Sequence, residues 1–230
     1  MKTAVLCVHG IQGSPAQFDW IIRALPEDVH VEKLLLPGHG SDVRAFSKST
    51  MKRWQSAVDE SLELLQAQYD RIIYIGHSMG CLLGIDACIR RPEKLVLLVL
   101  LACPLRVRIT RRYLRQNLIA VSPRESSDPF ILAARAAHSV KAKHIWEYAL
   151  CIGPYIALFK KIYAVNKQLK GLNLPTLAVF SELDEIVSRK SMQIIQELPC
   201  CESMLAPGCG HLYYSEEARR SIIEKMQNYT

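Results

Sequence analysis

No stretch of this chain holds the roughly 20 consecutive apolar residues that cross a bilayer as a helix. The longest apolar run, Ala149 to Phe159, is interrupted by Gly153 and Pro154, so no transmembrane helix is expected. The opening MKTAVLCVHG has one lysine and a short apolar run before His9 and Gly10, too little for the apolar region of a signal peptide. Export is therefore not expected, and the cytoplasm is the expected compartment. No CxxC pair and no zinc-type Cys/His spacing occurs, so no metal is expected. The G-x-x-x-x-G-K-[ST] phosphate loop is missing, and no cofactor is expected. Zinc-finger and RNP sequences are missing too, which argues against nucleic acid as a partner. No low-complexity tract or repeat of 20 to 50 residues is present, which excludes disordered and solenoid classes.

What is present fits one compact domain: 230 residues, half of them hydrophobic and 22% charged. The eight cysteines, 7, 81, 88, 103, 151, 200, 201 and 209, sit among apolar neighbours and read as small buried hydrophobes. Adjacent Cys200 and Cys201 are expected on opposite faces of a strand, and Cys209 is a candidate reactive thiol. Charge is unevenly spread. Residues 104 to 170 hold 13 Lys/Arg against 3 Asp/Glu, net +10, while the rest holds 16 against 19, net −3.

Short β-branched apolar runs alternate with segments of helical period. Thr3 to Val8, Val29 to Leu35, Arg71 to Ile75, Leu95 to Leu101, Thr176 to Phe180 and Cys201 to Leu205 read as strands, mostly covered on both faces. Ser14-Pro15 predicts a capped helix running to Leu25, and Thr50 to Gln68 places Trp54, Val58, Leu62 and Leu65 on one stripe. Met79 to Arg90, Ser188 to Leu198 and Ser215 to Gln227 complete the helices. The alternation predicts an α/β fold with a mostly parallel sheet and helices on both faces, its ligand site at the carboxyl ends of the strands. About 70 residues of helical character between Pro104 and Leu174 interrupt the rhythm, as a cap inserted over those strand ends would.

GHSMG, residues 76 to 80, fits G-x-S-x-G, follows the strand RIIYI and opens a helix. A serine hydroxyl is a weak nucleophile and needs an oriented base. His211 lies in a glycine-containing loop after one strand, and Asp184 lies just past another, with Glu182 and Glu185 as its competitors. Backbone donors for an oxyanion are expected from Met79, after the serine, and from Ile11 in HGIQGSP. His9 and His39 belong to turn motifs and are expected to make structural hydrogen bonds. His77 is expected to point away from the serine, and His30, His138 and His144 lie on no recognisable site.

On VHGIQGSP, LLLPGHGSD, YIGHSMGCLLG, FSELDEIV and GCGHLYY, the chain resembles the α/β-hydrolase family, within it the small carboxylesterases and monoacylglycerol-lipase-like serine hydrolases. The resemblance implies an α/β-hydrolase fold with Ser78 as nucleophile, Asp184 as acid, His211 as base, and Ile11 and Met79 as oxyanion donors. It implies a structural role for PGHG, residues 37 to 40. The expected substrate is a small-molecule carboxylic ester, short-to-medium acyl or monoacylglycerol-like, anionic or lipid-like given the basic cap. Thioesters, lactones, amides and carbon–carbon bonds are alternative targets of the same residues. So are acyl transfer to another alcohol and ligand binding without turnover. The basic face of the 104 to 170 segment also predicts peripheral contact with an anionic membrane.

Overall fold

The computed structural model describes residues 1–90 and 93–227. Its frame is a six-stranded sheet of β1 (Thr3–Val8), β2 (His30–Leu34), β3 (Arg71–His77), β4 (Leu95–Leu101), β5 (Thr176–Ser181) and β6 (Cys201–Ala206), in the order β2-β1-β3-β4-β5-β6 with every pairing parallel. Parallel strands need crossovers, and the crossovers lay helices on both faces. These are α1 (Asp19–Ile22), α2 (Val43–Ser47), α3 (Met51–Gln68), α4 (Met79–Ile89), α5 (Arg111–Ala120), α6 (Pro129–Ala137), α7 (Ile152–Gln168), α8 (Lys190–Gln196) and α9 (Glu216–Gln227).

The two-residue period of the strands divides the core. Ala4, Leu6, Val8, Ile72, Tyr74, Leu98 and Leu100 face α3, α4, α7 and α8, packing with Trp54, Val58, Leu82, Val165 and Ile195. Val5, Cys7, Ile73, Ile75, Leu97 and Val99 face α1 and α9, packing with Phe18, Ile21, Ala218 and Ile222. Helix α3 buries Trp54, Val58, Leu62 and Leu65, the predicted stripe, and Thr50 caps it by accepting from the Arg53 amide.

The segment from Ser14 to Leu25 departs from expectation. It forms a 3-10 turn, Pro15–Phe18, then the single-turn α1, and the Ser14 side chain caps nothing. Only Phe18 and Ile21 are buried, three residues apart, and that spacing suits a tight turn as well as a helix. Cys200 and Cys201 do not straddle a strand. The strand begins at Cys201, so the two sulfurs lie 3.7 Å apart. Cys209 is fully buried, its thiol donating to the Pro207 carbonyl and accepting from the Ser215 amide.

Between β4 and β5 the chain builds the helical cap: a stem, α5, α6, a 3-10 helix at Ile145–Cys151, and α7. Helix α7 also serves as the crossover helix, burying Leu158, Ile162 and Val165 in the same cluster as α3 and α4. Lys161 strengthens that docking, 3.1 Å from Asp86 and 2.9 Å from the Gln55 side-chain oxygen. The helical run Ile145–Gly171 is long and apolar enough to cross a membrane by length and composition, contrary to expectation. Gly153 and Pro154 do not break it, because they fall in the first turn of α7, where a proline removes no intrahelical hydrogen bond.

The sheet admits no bulk where α4 crosses β1. A Cβ at Gly80 would stand 2.0 Å from the Val8 carbonyl oxygen, against backbone that cannot move aside. Gly80→Ala is expected to lower unfolding free energy by about 3 kcal/mol in urea titration, or to prevent folding. Gly153 meets nothing within 4 Å, so Gly153→Ala is expected to raise stability by about 0.5 kcal/mol. Equal stability of both variants would mean that α4 does not press on β1 as described.

Candidate active site

The site forms where β1 and β3 end side by side. Ser78 joins β3 to α4 with φ 51° and ψ −115°, a conformation L-residues rarely adopt. The Ser78 amide donates to the Leu101 carbonyl at 2.9 Å, and the Cys81 amide donates to the Ser78 carbonyl at 3.0 Å. Met79 is the first residue of α4, so its amide has no partner within the helix.

Opposite Ser78 lies the turn after β1, closed by the Gly13 amide donating to the Gly10 carbonyl at 3.1 Å, with Gln12 at φ 55°. A Cβ on Gly10 would lie 3.1 Å from the Ser78 Cβ, so the turn approaches the serine as closely as backbone allows. Two buried histidines hold it. The Gln12 amide donates to His39 Nε2 at 3.1 Å, and the Leu36 amide donates to His9 Nε2 at 3.1 Å. Each therefore carries its proton on Nδ1, which His9 donates to the Gly10 carbonyl and His39 to the Leu36 carbonyl. Burial drives both below the ordinary value, to about 3 for His9 and about 4 for His39, so both stay neutral. The PGHG loop is anchored in turn by Ser49 Oγ and Trp54 Nε1, both donating to the Pro37 carbonyl at 2.9 Å.

Behind the serine, three acidic residues follow β5, and the fold separates them. Asp184 Oδ1 accepts from the Ile186 and Val187 amides at 2.8 and 2.7 Å, and His211 Nδ1 approaches Oδ2 at 3.0 Å. Glu185 Oε2 accepts from the His211 amide at 2.8 Å, and Glu182 turns outward to the Gly208 amide at 3.0 Å. Burial opposes the charged form of both Asp184 and His211. It is outweighed by their mutual attraction and hydrogen bond, aided at Asp184 by the two amides. The Asp184 pKa is accordingly lowered and that of His211 raised.

Ser78, His211 and Ile11 line one cavity of about 160 Å³, walled largely by hydrocarbon from Val107, Ala134, Leu158, Phe159 and Leu212. Asp184 does not line it and reaches it only through His211; the Met79 side chain is buried elsewhere. Tyr155 of α7 donates to the Gln12 side-chain oxygen at 3.2 Å, and the Ser139 amide to the Gln12 carbonyl at 2.9 Å. The cap thus grips the turn that faces the serine.

Two members of the site escape sequence reasoning. His77 lines the same cavity, and its Nε2 donates to the His211 carbonyl at 2.8 Å; burial and the neighbouring His211 push it down to about 3, hence neutral. Glu185 was legible only as a rival to Asp184, yet it holds the His211 backbone rather than its ring. Arg112 of α5 lies 4.0 Å from the Glu185 carboxylate and stacks 4.2 Å above the Phe130 ring.

Several known proteins resemble this chain in sequence or in overall fold. A Pseudomonas putida protein, the dihydrolipoyllysine-residue acetyltransferase component of the acetoin cleaving system, is 24% identical over 238 residues, 95% of this chain and 61% of its own length. A human serine hydrolase-like protein is 31% identical over 102 residues, 44% of this chain and 50% of its own. The chain thus spans about half to three-fifths of the lengths of these relatives. The monoacylglycerol lipase of Paleococcus ferrophilus superposes with a TM-score of 0.71 at 18% identity, covering 99% of this chain and 95% of that one, which shows a shared fold. The model of the alpha/beta hydrolase family matches residues 5–223, nearly the full length of the sheet and cap described above, and the chain belongs to that family.

Proposed function

We propose that the protein is a serine hydrolase that cleaves carboxylic esters of short-to-medium or monoacylglycerol-like acyl chains, by way of an acyl-enzyme on Ser78. The observation that carries the reading is the His211 imidazole, tied through Nδ1 to a buried carboxylate while lining the cavity of Ser78. Asp184 holds the Nδ1 proton, which leaves Nε2 unprotonated and free to take the proton of Ser78 Oγ as that oxygen attacks the ester carbonyl. The developing oxyanion is received by the Met79 and Ile11 amides, the first favoured by the positive end of α4. Collapse releases the alcohol with the proton that His211 returns. Water, deprotonated by His211, then attacks the acyl carbon and frees Ser78.

The apolar walls favour acyl chains, and Gln12, Tyr113, Gln116, Asn117, Tyr155 and Glu185 are among the polar side chains that line the same cavity. The names of the relatives agree in part: a serine hydrolase-like protein and a monoacylglycerol lipase fit ester cleavage, and an acetyltransferase component fits acyl chemistry in general.

A panel of p-nitrophenyl esters, thioesters and monoacylglycerols tests the reading. Ser78→Ala is expected to lower kcat/KM by at least about 10⁴-fold and to abolish labelling by a fluorophosphonate; near-full turnover in that variant would refute the assignment.

The pH profile follows from the sign of the His211 shift. The base works only when neutral, and its pKa is raised above the ordinary 6.5. Activity is therefore expected to rise with pH through a midpoint above about 6.5. Asp184→Asn removes the anion that raises it, so the residual activity should fall by about 10⁴-fold and its midpoint should move to lower pH. A midpoint that stays in place would detach Asp184 from His211.

A further inference from the structure

The cap leaves an unusual amount of apolar side chain in water. On α7, Ile152, Ile156, Phe159 and Tyr163 are 60, 51, 49 and 64% exposed, and their spacing of four, three and four residues confines them to an arc of roughly 60°. The opposite side of the same helix is the one docked on the core. Directly before it, Trp146 is 68% exposed. A continuous apolar surface of this kind on a folded chain marks a binding face.

Two further observations say what the face fits. The first is charge. Helix α7 carries three lysines and no acidic residue; exposed Lys160 and Lys167 fall beside the apolar stripe on the helical repeat, and Lys167 Nζ sits 4.5 Å from the centre of the Tyr163 ring. Glu147, the acidic residue nearest in sequence, is spent on the amides of Lys143 and His144. The second is continuity with the site. Phe159 and Ile109 both line the cavity of Ser78 and are about half exposed, so the cavity opens among the exposed apolar residues.

We propose that this face docks on an anionic lipid bilayer. The α7 stripe and Trp146 enter the boundary between headgroups and acyl chains, and the lysines meet lipid phosphates. A second copy of the chain fits less well. A two-fold contact would set the segment of net +10 against itself. Docking places the opening between Ile109 and Phe159 at the bilayer, so that an acyl chain passes to Ser78 without crossing water. This use of the surface rests on the esterase reading; the docking itself does not.

Flotation with vesicles separates the two. The Ser78→Ala chain, which leaves lipid intact, is mixed with phosphatidylcholine vesicles with or without about 30% phosphatidylglycerol, at about 0.1 and 0.5 M salt. It is expected to float with the anionic vesicles and to do so less at high salt. Adding Trp146→Ser, Ile152→Ser and Ile156→Ser should weaken binding about tenfold or more, and Lys160→Glu with Lys167→Glu should erase the preference for anionic lipid. With Ser78 retained, the triple serine variant should hydrolyse soluble p-nitrophenyl butyrate at the parental rate, which controls for folding. Failure of the parent to float, or equal flotation of the triple variant, overturns the proposal. So does a dimer that the triple variant loses while neither chain binds vesicles. Vesicle binding without turnover of any soluble ester would leave the docking surface standing and remove the hydrolase reading alone.

Discussion

Everything at the site depends on how closely α4 approaches the sheet. Gly80 rests its backbone on the Val8 carbonyl, Gly76 leaves no room for a Cβ beneath Gly80, and Gly84 lies flat on the Tyr74 ring. Tyr74 closes the contact by donating its hydroxyl proton to the Gly80 carbonyl at 2.7 Å. This approach forces the tight passage from β3 to α4 and so the backbone of Ser78, a strain of about 1–3 kcal/mol that the surrounding packing must hold. It also brings Ser78 against Gly10, because the helix leans on the strand that runs into Gly10. One steric constraint thereby positions both the serine and the turn opposite it.

A second layer of constraint couples the cap to the histidine. The stem before α5 runs antiparallel to the acid-bearing loop: the Arg108 amide donates to the Ile186 carbonyl, the Thr110 amide and hydroxyl to the Glu185 carbonyl, and the Ser188 amide to the Arg106 carbonyl. Asp184 sits at the start of that loop, and Glu185 reaches from it to the His211 backbone. The loop that orients the imidazole and the stem that carries the cap are thus one hydrogen-bonded unit. Movement of α5 would be felt at Glu185, where Arg112 stands near the carboxylate. The burial of the two carboxylates, otherwise costly, is offset at Asp184 by the Ile186 and Val187 amides and the His211 ring, and at Glu185 by the His211 amide.

Much of this is legible in the sequence alone, and most of what is legible shares a cause. Strands with continuous apolar runs, the α3 stripe and the strand-turn-helix context of GHSMG are local patterns, set by the period of the backbone. The order of Ser78, Asp184 and His211 along the chain is different in kind, since it gains meaning only through the resemblance to the α/β-hydrolase family. Contacts between distant residues were not legible. His77 meets a carbonyl 134 residues away, and Glu185 meets an amide 26 residues away; neither residue type nor spacing announces such a bond. Local signals also misled where tertiary packing overrode them. Ser14-Pro15 has the composition of a helix start, but a segment burying only Phe18 and Ile21 has no reason to extend as a regular helix. Gly153-Pro154 looked like a break and proved to be a first turn.

Helix α7 runs from Ile152 to Gln168 as one piece, and because its side chains are apolar around most of the circumference, only one side of them can face the core. Leu158, Ile162 and Val165 take that side together with Lys161, whose ammonium is held by Asp86 and Gln55. The ion pair matters for the outward face. It sets the rotation of the helix, since turning α7 to bury Ile156 or Tyr163 would pull Lys161 from its partners and leave Asp86 without it. The apolar stripe of α7 is therefore held in solvent by the same contacts that dock the helix, and the opening beside Phe159 is held there with it.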